Sequence, residues 1–285
     1  MEKQVWKTQS EKEIDPTILE YLSSEDLELD KNLIEKDIKV NKAHAKMLAT
    51  VGLISWKEYE EIKKKLAEIP KNFELKEELE DVHMNIEAVL GKVGEKLHTA
   101  KSRNDQVMTD LHLYMKDKLD ETKQSMKEIQ DALSEKAGQY FGVQMPAYTH
   151  MRPAMPINFE TWIGAYKQLL ENDSQLIDFV KKQVDVCPLG ACAVAGTKLQ
   201  IDKEFTAKEL GFSKSFDNPL AMISSRGEIE TFCLYALSSI MLHLNKLAND
   251  LQLYSTFEYG IIALDDSVCT SSSMLPQKKN ADPLE

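Results

Sequence analysis

The sequence predicts an all-α protein: a small N-terminal helical domain, then a bundle of long helices. Three observations predict it. Apolar residues recur at three- and four-residue steps over unusually long stretches. Strand signals are scarce, with neither β-α alternation nor a run of short alternating segments. One stretch, Ile229 to Tyr254, is apolar nearly all round, the mark of a helix buried in a large core or between subunits.

In chain order, residues 1 to about 20 are polar and weakly patterned and read as a loose arm. From Lys31 the pattern turns helical, with Leu33, Ile34, Ile38, Ala45, Leu48 and Val51 on one face and Gly52 as its stop. Ser55, with Glu58 three residues on, is the capping box of the next helix, which runs through Tyr59, Ile62 and Leu66 to about Ile69. EELEDVHMNIEAVLGKVG gives a further short helix with an acidic start. From Asp105 a 3-4 spacing holds to about Ala137, a helix of about 30 residues, on the order of 45 Å long. A second long pattern runs from Phe159 to Val184, and the third from Ile229 to Tyr254. Helices this long point to an extended bundle. The change from short to long helices sets an expected boundary: 1–100 an N-terminal domain, 101–285 the bundle, ending in a loop.

Composition excludes several classes. Hydrophobic content of 42% and charged content of 29% are those of a globular protein. The net charge of −12 argues against nucleic acid as a partner. No stretch of 18 apolar residues is present, so no membrane span is expected, and the start lacks the apolar core of a signal peptide. The cysteines, Cys187, Cys192, Cys233 and Cys269, form no C-x-x-C pair. That spacing favours reduced thiols in a cytoplasmic protein over disulfides or a zinc site, and no metal is expected.

Three polar clusters carry chemistry. The last, SSSMLPQKKNADPLE from Ser271 to Glu285, has no amphipathic period and contains Pro276. Such a loop can be a plain solvated surface. It can also put a hydroxyl, Ser272, near a cation, Lys278, and a hydroxyl becomes a base only with positive charge and oriented N–H donors nearby. The second is HTAKSRNDQV, His98 to Val107. It reads either as a helix start capped by Ser102 and Asp105, or as a carboxylate site, since a helix N-terminus presents free N–H groups and Arg103 can add a bidentate contact. The third is MPAYTHMRPAMPI, Met145 to Ile157, whose prolines exclude a helix interior. It holds His150, which is either a structural histidine or a proton-transfer group.

SSSMLPQKKN resembles the signature loop of the fumarase/aspartase superfamily, G-S-S-x-M-P-x-K-x-N-P, and SRNDQV resembles the T-x-R-S-R-N-D-Q-V motif of its argininosuccinate lyase branch. MPAYTHMRPAMPI is similar to G-Y-T-H-x-Q-x-A-Q-P, EDVHMNIE to E-D-I-H-x-x-x-E, and MISSRGEIE to V-S-x-R-D. PLGACAVAGT looks like P-L-G-x-G-A-L-A-G-T, a turn that mainly serves packing. YLSSEDLELD follows F-x-x-S-I-x-x-D only loosely, with Ser24 and Asp30 as weak candidates. The chain departs from the patterns at Lys101 (usually Arg), Ala147 (Gly), Arg152 and Met155 (Gln), Ser271 (Gly) and Ala281 (Pro), and VWKTQ stands in place of W-G-G-R-F. Ser271 resists backbone angles that glycine permits.

The resemblance implies a homotetrameric elimination enzyme that cleaves argininosuccinate to arginine and fumarate, each site assembled from three subunits. Ser272 would be the base, with Lys278 and Asn280 stabilising the carbanion. His150, paired with Glu285, would belong to the acid/base machinery. Ser102, Arg103, Asn104 and Thr149 would contact substrate, with Arg226 and His83 nearby. No cofactor is implied, because the substrate carboxylate is itself the electron sink. The rival readings are a sister lyase acting on adenylosuccinate or aspartate, and a non-catalytic homologue of the same fold. Relatives continue well past the signature loop, so the bundle is expected to be incomplete at the C-terminus, and the 285-residue chain alone to be helical, prone to associate and nearly inactive.

Overall fold

A computed structural model describes residues 15–70 and 72–285; the VWKTQ segment lies outside them. Among the described residues, contacts divide the chain into two compact units, one of residues 15–118 and 181–229, the other of 119–180 and 230–285. Residue 100, the expected boundary, lies inside the first unit, just before its longest helix begins.

The first unit opens with α1, Pro16–Asp30. The loose arm expected to reach residue 20 therefore gives way to helix at Pro16. The reason is local: Pro16 sits at the first helical position, and Asp15 accepts a hydrogen bond from the Thr17 N–H at 2.9 Å. α2 (Ile34–Thr50) is followed by Gly52 at φ +78°, as its stop signal required. α3 (Trp56–Ala67) begins with the Ser55/Glu58 capping box. α4 (Val82–Leu90) is capped by Asp81, which accepts the Met84 N–H at 2.7 Å. The apolar faces of these helices meet in one core, with Leu48, Ile62, Leu66, Ile86 and Leu90 all but excluded from solvent.

A run of 3-10 turns, Gly91–His98, leads to α5, Arg103–Gln139, which starts in the first unit and ends in the second. Later segments return to the first unit: β3 (Val186–Cys187), α7 (Lys203–Leu210), β4 (Lys214–Ser215) and α8 (Pro219–Ser224). β3 and β4 pair in parallel. Cys187, Leu189, Ala207, Leu210 and Phe212 pack against Val40, Ala43 and Leu113 as a second small core.

The second unit is a bundle of the C-terminal part of α5 with α6 (Phe159–Val184) and α9 (Glu228–Tyr254). α5 meets α6 through Lys123 with Asp178 at 2.7 Å and Gln130 with Ser174 at 3.2 Å. α6 meets α9 in antiparallel order. Phe179 packs edge-on to Phe232 at 5.7 Å, Asp173 accepts from Ser239 at 2.7 Å and contacts His243 at 2.6 Å, and Asp250 accepts from Trp162 at 3.0 Å. Phe232, Ser239, His243, Asp250 and Tyr254 follow one another at seven and four residues, a single stripe along α9. The opposite face is open: Leu234, Tyr235, Met241 and Leu242 are each more than half exposed in this chain.

Two antiparallel hairpins complete the unit. β1 (Gln144–Thr149) pairs with β2 (Arg152–Asn158), and β5 (Thr270–Ser271) with β6 (Lys279–Asn280). The first occupies the proline-rich stretch. A two-stranded ribbon has a free edge on each side, so Pro146, Pro153 and Pro156 need donate no ladder hydrogen bond.

Candidate active site

Two sets of the expected residues are built independently, one in each unit. In the first, everything follows from how α5 starts. The Ser102 N–H donates to Asp105 Oδ1 at 2.8 Å, and Ser102 Oγ accepts from the Asn104 N–H at 3.3 Å. The expected cap of Ser102 and Asp105 is therefore real, and it leaves Ser102 and Asn104 at the positive end of a 37-residue helix. Asp105 Oδ2 accepts two more N–H groups, from Gly190 and Cys192, both at 2.8 Å. This ties the PLGAC turn to the helix start. The close approach suits glycine at 190: φ is +104°, and a Cβ there would meet Ile201 Cδ1 at 3.0 Å.

Arg103 is held from behind. Its Nε pairs with Asp81 Oδ2 at 3.0 Å, and its Nη1 donates to Gln106 Oε1 at 3.2 Å. Arg226, just before α9, is exposed and donates to Asn104 Oδ1 at 3.4 Å. Ser102, Arg103, Asn104 and Arg226 are thus brought together: one hydroxyl, one amide and two guanidinium groups at a helix N-terminus. Such a combination has the chemistry to bind a carboxylate.

His83 is placed differently. It is buried, with Nδ1 2.8 Å from Asp37 Oδ1, on the protein side of this constellation. Burial pushes the Asp37 carboxyl up, but His83, Lys101 and Gln106 more than offset it and hold it well below the usual carboxylate range. Asp37, His83 and Asp110 offer donor atoms within 4.8 Å of one another, the one such group among the described residues. They suit a metal poorly. The imidazole already hydrogen-bonds Asp37 directly, and the cation facing the two carboxylates is Lys101, which donates to Asn41 at 2.7 Å.

The sequence reading missed Asp37, Asn41, Gln106 and Asp110, and the extra work of Asp81 and Asp105. A signal was present. Asp37, Asn41 and His44 recur at helical spacing on the buried face of α2, as do Gln106 and Asp110 on α5.

In the second unit, Ser272, Lys278 and Asn280 share one hairpin. β5 and β6 pair Thr270 with Asn280 and Ser271 with Lys279, leaving residues 272–278 as the connecting loop. Ser271 sits in a strand, outside the positive-φ residues, so the position does not demand glycine's freedom. Ser272 Oγ accepts two backbone N–H groups, from Met274 at 3.3 Å and Leu275 at 3.2 Å. Lys278 is exposed, its backbone N–H closing the loop on Leu275 O at 2.9 Å. The hairpin is braced by Lys279 with Asp266 and by Thr270 with Asp282.

Thr149 and His150 lie at the tip of the other hairpin, both exposed, with His150 at φ +51° and Met151 at φ +57°. Tyr148 fixes that hairpin, its ring 5.9 Å from Tyr254 and 5.0 Å from Tyr259. Glu285 accepts from Gln252 at 3.4 Å and makes no ion pair with His150.

Known proteins are similar to this chain in sequence and in fold. A family model described as a lyase matches residues 15–285. The argininosuccinate lyase of Desulforudis audaxviator (strain MP104C) is 39% identical over 290 residues, which cover 99% of this chain and 62% of the relative. That of Thermotoga neapolitana is 39% identical over 281 residues, 95% of this chain and 71% of the relative. Among solved structures, EDDS lyase in complex with formate superposes with a TM-score of 0.83 at 27% identity, over 90% of this chain and 52% of that one. The architecture is therefore that of the helical fumarase/aspartase-type lyases. Within them, the chain belongs to the argininosuccinate lyase family. It spans about 62% of the length of the first curated relatives it matches.

Proposed function

We propose that this chain carries the chemistry that cleaves argininosuccinate to arginine and fumarate. Ser272 takes the proton from the carbon β to the departing nitrogen. Lys278 and Asn280 stabilise the aci-carboxylate that results. His150 protonates the leaving guanidino nitrogen, with Glu285, which does not pair with it within this chain, brought to it in the assembled tetramer. Ser102, Arg103, Asn104, Thr149 and Arg226 hold the substrate carboxylates, and His83 acts from behind them through Asp37. The electron pair left by the proton flows through the substrate carboxylate and expels the nitrogen, so no cofactor takes part.

The observation that carries this reading is the pair of backbone N–H groups aimed at Ser272 Oγ. Donors to the charged form of a group favour that form. A serine that receives two is biased toward the alkoxide that a base requires, and Lys278 on the same loop supplies positive charge. The working form is a cytoplasmic homotetramer whose sites draw on several subunits. The exposed apolar face of α9 supports association, since open apolar faces of this kind mark contact surfaces. Among the described residues, no helix is long and apolar enough to cross a membrane.

The test is fumarate release from argininosuccinate. It is measured with the 285-residue chain and with a version extended by the C-terminal region of a relative, and adenylosuccinate and aspartate are run in parallel. Fumarate from argininosuccinate alone supports the reading. Preferential cleavage of adenylosuccinate or aspartate assigns a sister reaction, and no release from any of them by the extended tetramer removes it.

A further inference from the structure

Beneath the Ser102–Asn104 turn lies a buried polar cluster drawn from α2, α4 and α5. Asp37 is at its centre. Its Oδ2 accepts from Asn41 at 2.7 Å, and its Oδ1 contacts His83 Nδ1 at 2.8 Å and accepts from Gln106 Nε2. Two paths lead outward from Asp37 to the turn. One runs through Gln106 to Arg103 Nη1 at 3.2 Å, the other through Asn41 to the Lys101 ammonium at 2.7 Å.

Asp110 is the unexplained member. It is wholly buried on α5, one turn after Gln106, and neither carboxylate oxygen has a hydrogen-bond partner. His83 Nδ1 lies 3.4 Å from Oδ2 and is already engaged with Asp37. An ionised carboxylate left this way is costly, because burial removes its water and nothing replaces it. The groups facing it are Asp37 and Asn41 from α2, His83 from α4, Lys101 just before α5, and Arg103 and Gln106 in its first turn. Lys101 is shared with Asp37, and Arg103 is paired with Asp81. Ionised Asp110 would therefore lack a counter-charge of its own.

We propose that Asp110 is a positioning residue held as the neutral acid, sharing its proton with Asp37, and that this proton keeps the Lys101–Asn104 turn in place to receive a carboxylate. The shared proton turns two facing carboxylates into a donor and an acceptor. Asp37 is thereby free to hold Gln106 and Asn41, and these aim Arg103 and Lys101. Burial and the Asp37 charge both act on Asp110 in the direction of retaining the proton. The carboxylate-binding role of the turn rests on the function proposed above; the protonation state does not.

The test uses the 285-residue chain with its aspartates labelled at the carboxyl carbon with carbon-13, followed by NMR from pH 5 to 9. One aspartate carbon should keep the shift of a carboxylic acid at pH 7, and it should vanish in Asp110→Asn. The backbone amides of Ser102, Arg103 and Asn104 should shift with the same midpoint as that carbon in the unaltered chain, and should be flat in Asp110→Asn. If every aspartate carbon is ionised at pH 7, with or without a doubly protonated His83, the proposal falls. It falls equally if the three amides ignore the titration, or if zinc or magnesium alone displaces the proton and orders the cluster as a metal site. Because no readout is enzymatic, the two readings fail separately: an extended tetramer that keeps the protonated carbon but releases no fumarate would refute the function and spare this assignment.

Discussion

Replacing Asp105 tests whether the start of α5 is held by one carboxylate. Asp105 is fully buried and accepts three backbone N–H groups, from Ser102, Gly190 and Cys192, each at 2.8 Å. Burial pushes its pKa up while those three donors pull it back. Truncation to alanine orphans all three. A buried donor left unpaired costs about 1–3 kcal/mol. Gly190 is buried and takes a value near the middle of that range, about 2 kcal/mol. Ser102 and Cys192 are half-buried, so water recovers part of the loss and each costs about 1 kcal/mol. Asp105→Ala should therefore lose about 4 kcal/mol, a large share of the ~5–15 kcal/mol of a typical domain. Urea titration followed by helical circular dichroism reads this directly. Asp105→Asn sharpens the test. It keeps the volume, but its amide turns two donors toward N–H groups that need acceptors. If packing alone mattered, Asn would be silent; the hydrogen-bond argument requires a loss of at least ~2 kcal/mol. An Asp105→Asn chain within ~0.5 kcal/mol of the unaltered one would refute the reasoning.

Other outcomes follow from the same geometry. Ser272→Ala in an active, extended tetramer should cut fumarate release by at least the ~10²-fold typical of losing a general base, with the helical signal unchanged; full activity beside an inactive Ser273→Ala would move the role one residue along. Asp37 is held well below the usual carboxylate range, so its contribution to stability is present above the unfolded value of ~3.9 and is lost as pH falls below it. The stability gap between the unaltered chain and Asp37→Asn should then narrow from pH 5 toward pH 2 in denaturant titrations, and a constant gap would count against the ion pairing. Burial pushes the Cys187 thiol up to about 12 and Cys192 up to about 11. Both should escape iodoacetamide at pH 8 in the native chain and react once it is unfolded, as read by peptide mass spectrometry.

What the sequence made legible divides along a physical line. α5, α6 and α9 could be read almost to the residue, because each buries a stripe that repeats over many turns and the period survives local exceptions. The hairpin of 144–158 could not. Its prolines argue against strands in general, yet a ribbon with two free edges tolerates them. Its turn carries no glycine, although His150 and Met151 both take positive φ. Helix α1 was announced by Asp15 and Pro16, but its apolar pattern was too weak to be separated from a loose arm. The same line runs through the candidate site. Ser102, Arg103, Asn104, Ser272 and Lys278 stand in short polar segments that interrupt the apolar period, so they are conspicuous. Asp37, Asp105 and Asp110 sit inside helices, where a lone carboxylate reads as a surface residue, since acids are seldom fully buried unless paired. Position within the period distinguishes them. Asp37 falls between Ile34 and Val40–Asn41 on a face that is otherwise buried, and Asp110 is flanked by Met108 and Leu113. An acid on an apolar face must find a partner or keep its proton. The residues that aim a site can therefore be sought in a sequence as charges that break a helix's buried stripe, just as the residues that touch substrate are sought as polar clusters between helices.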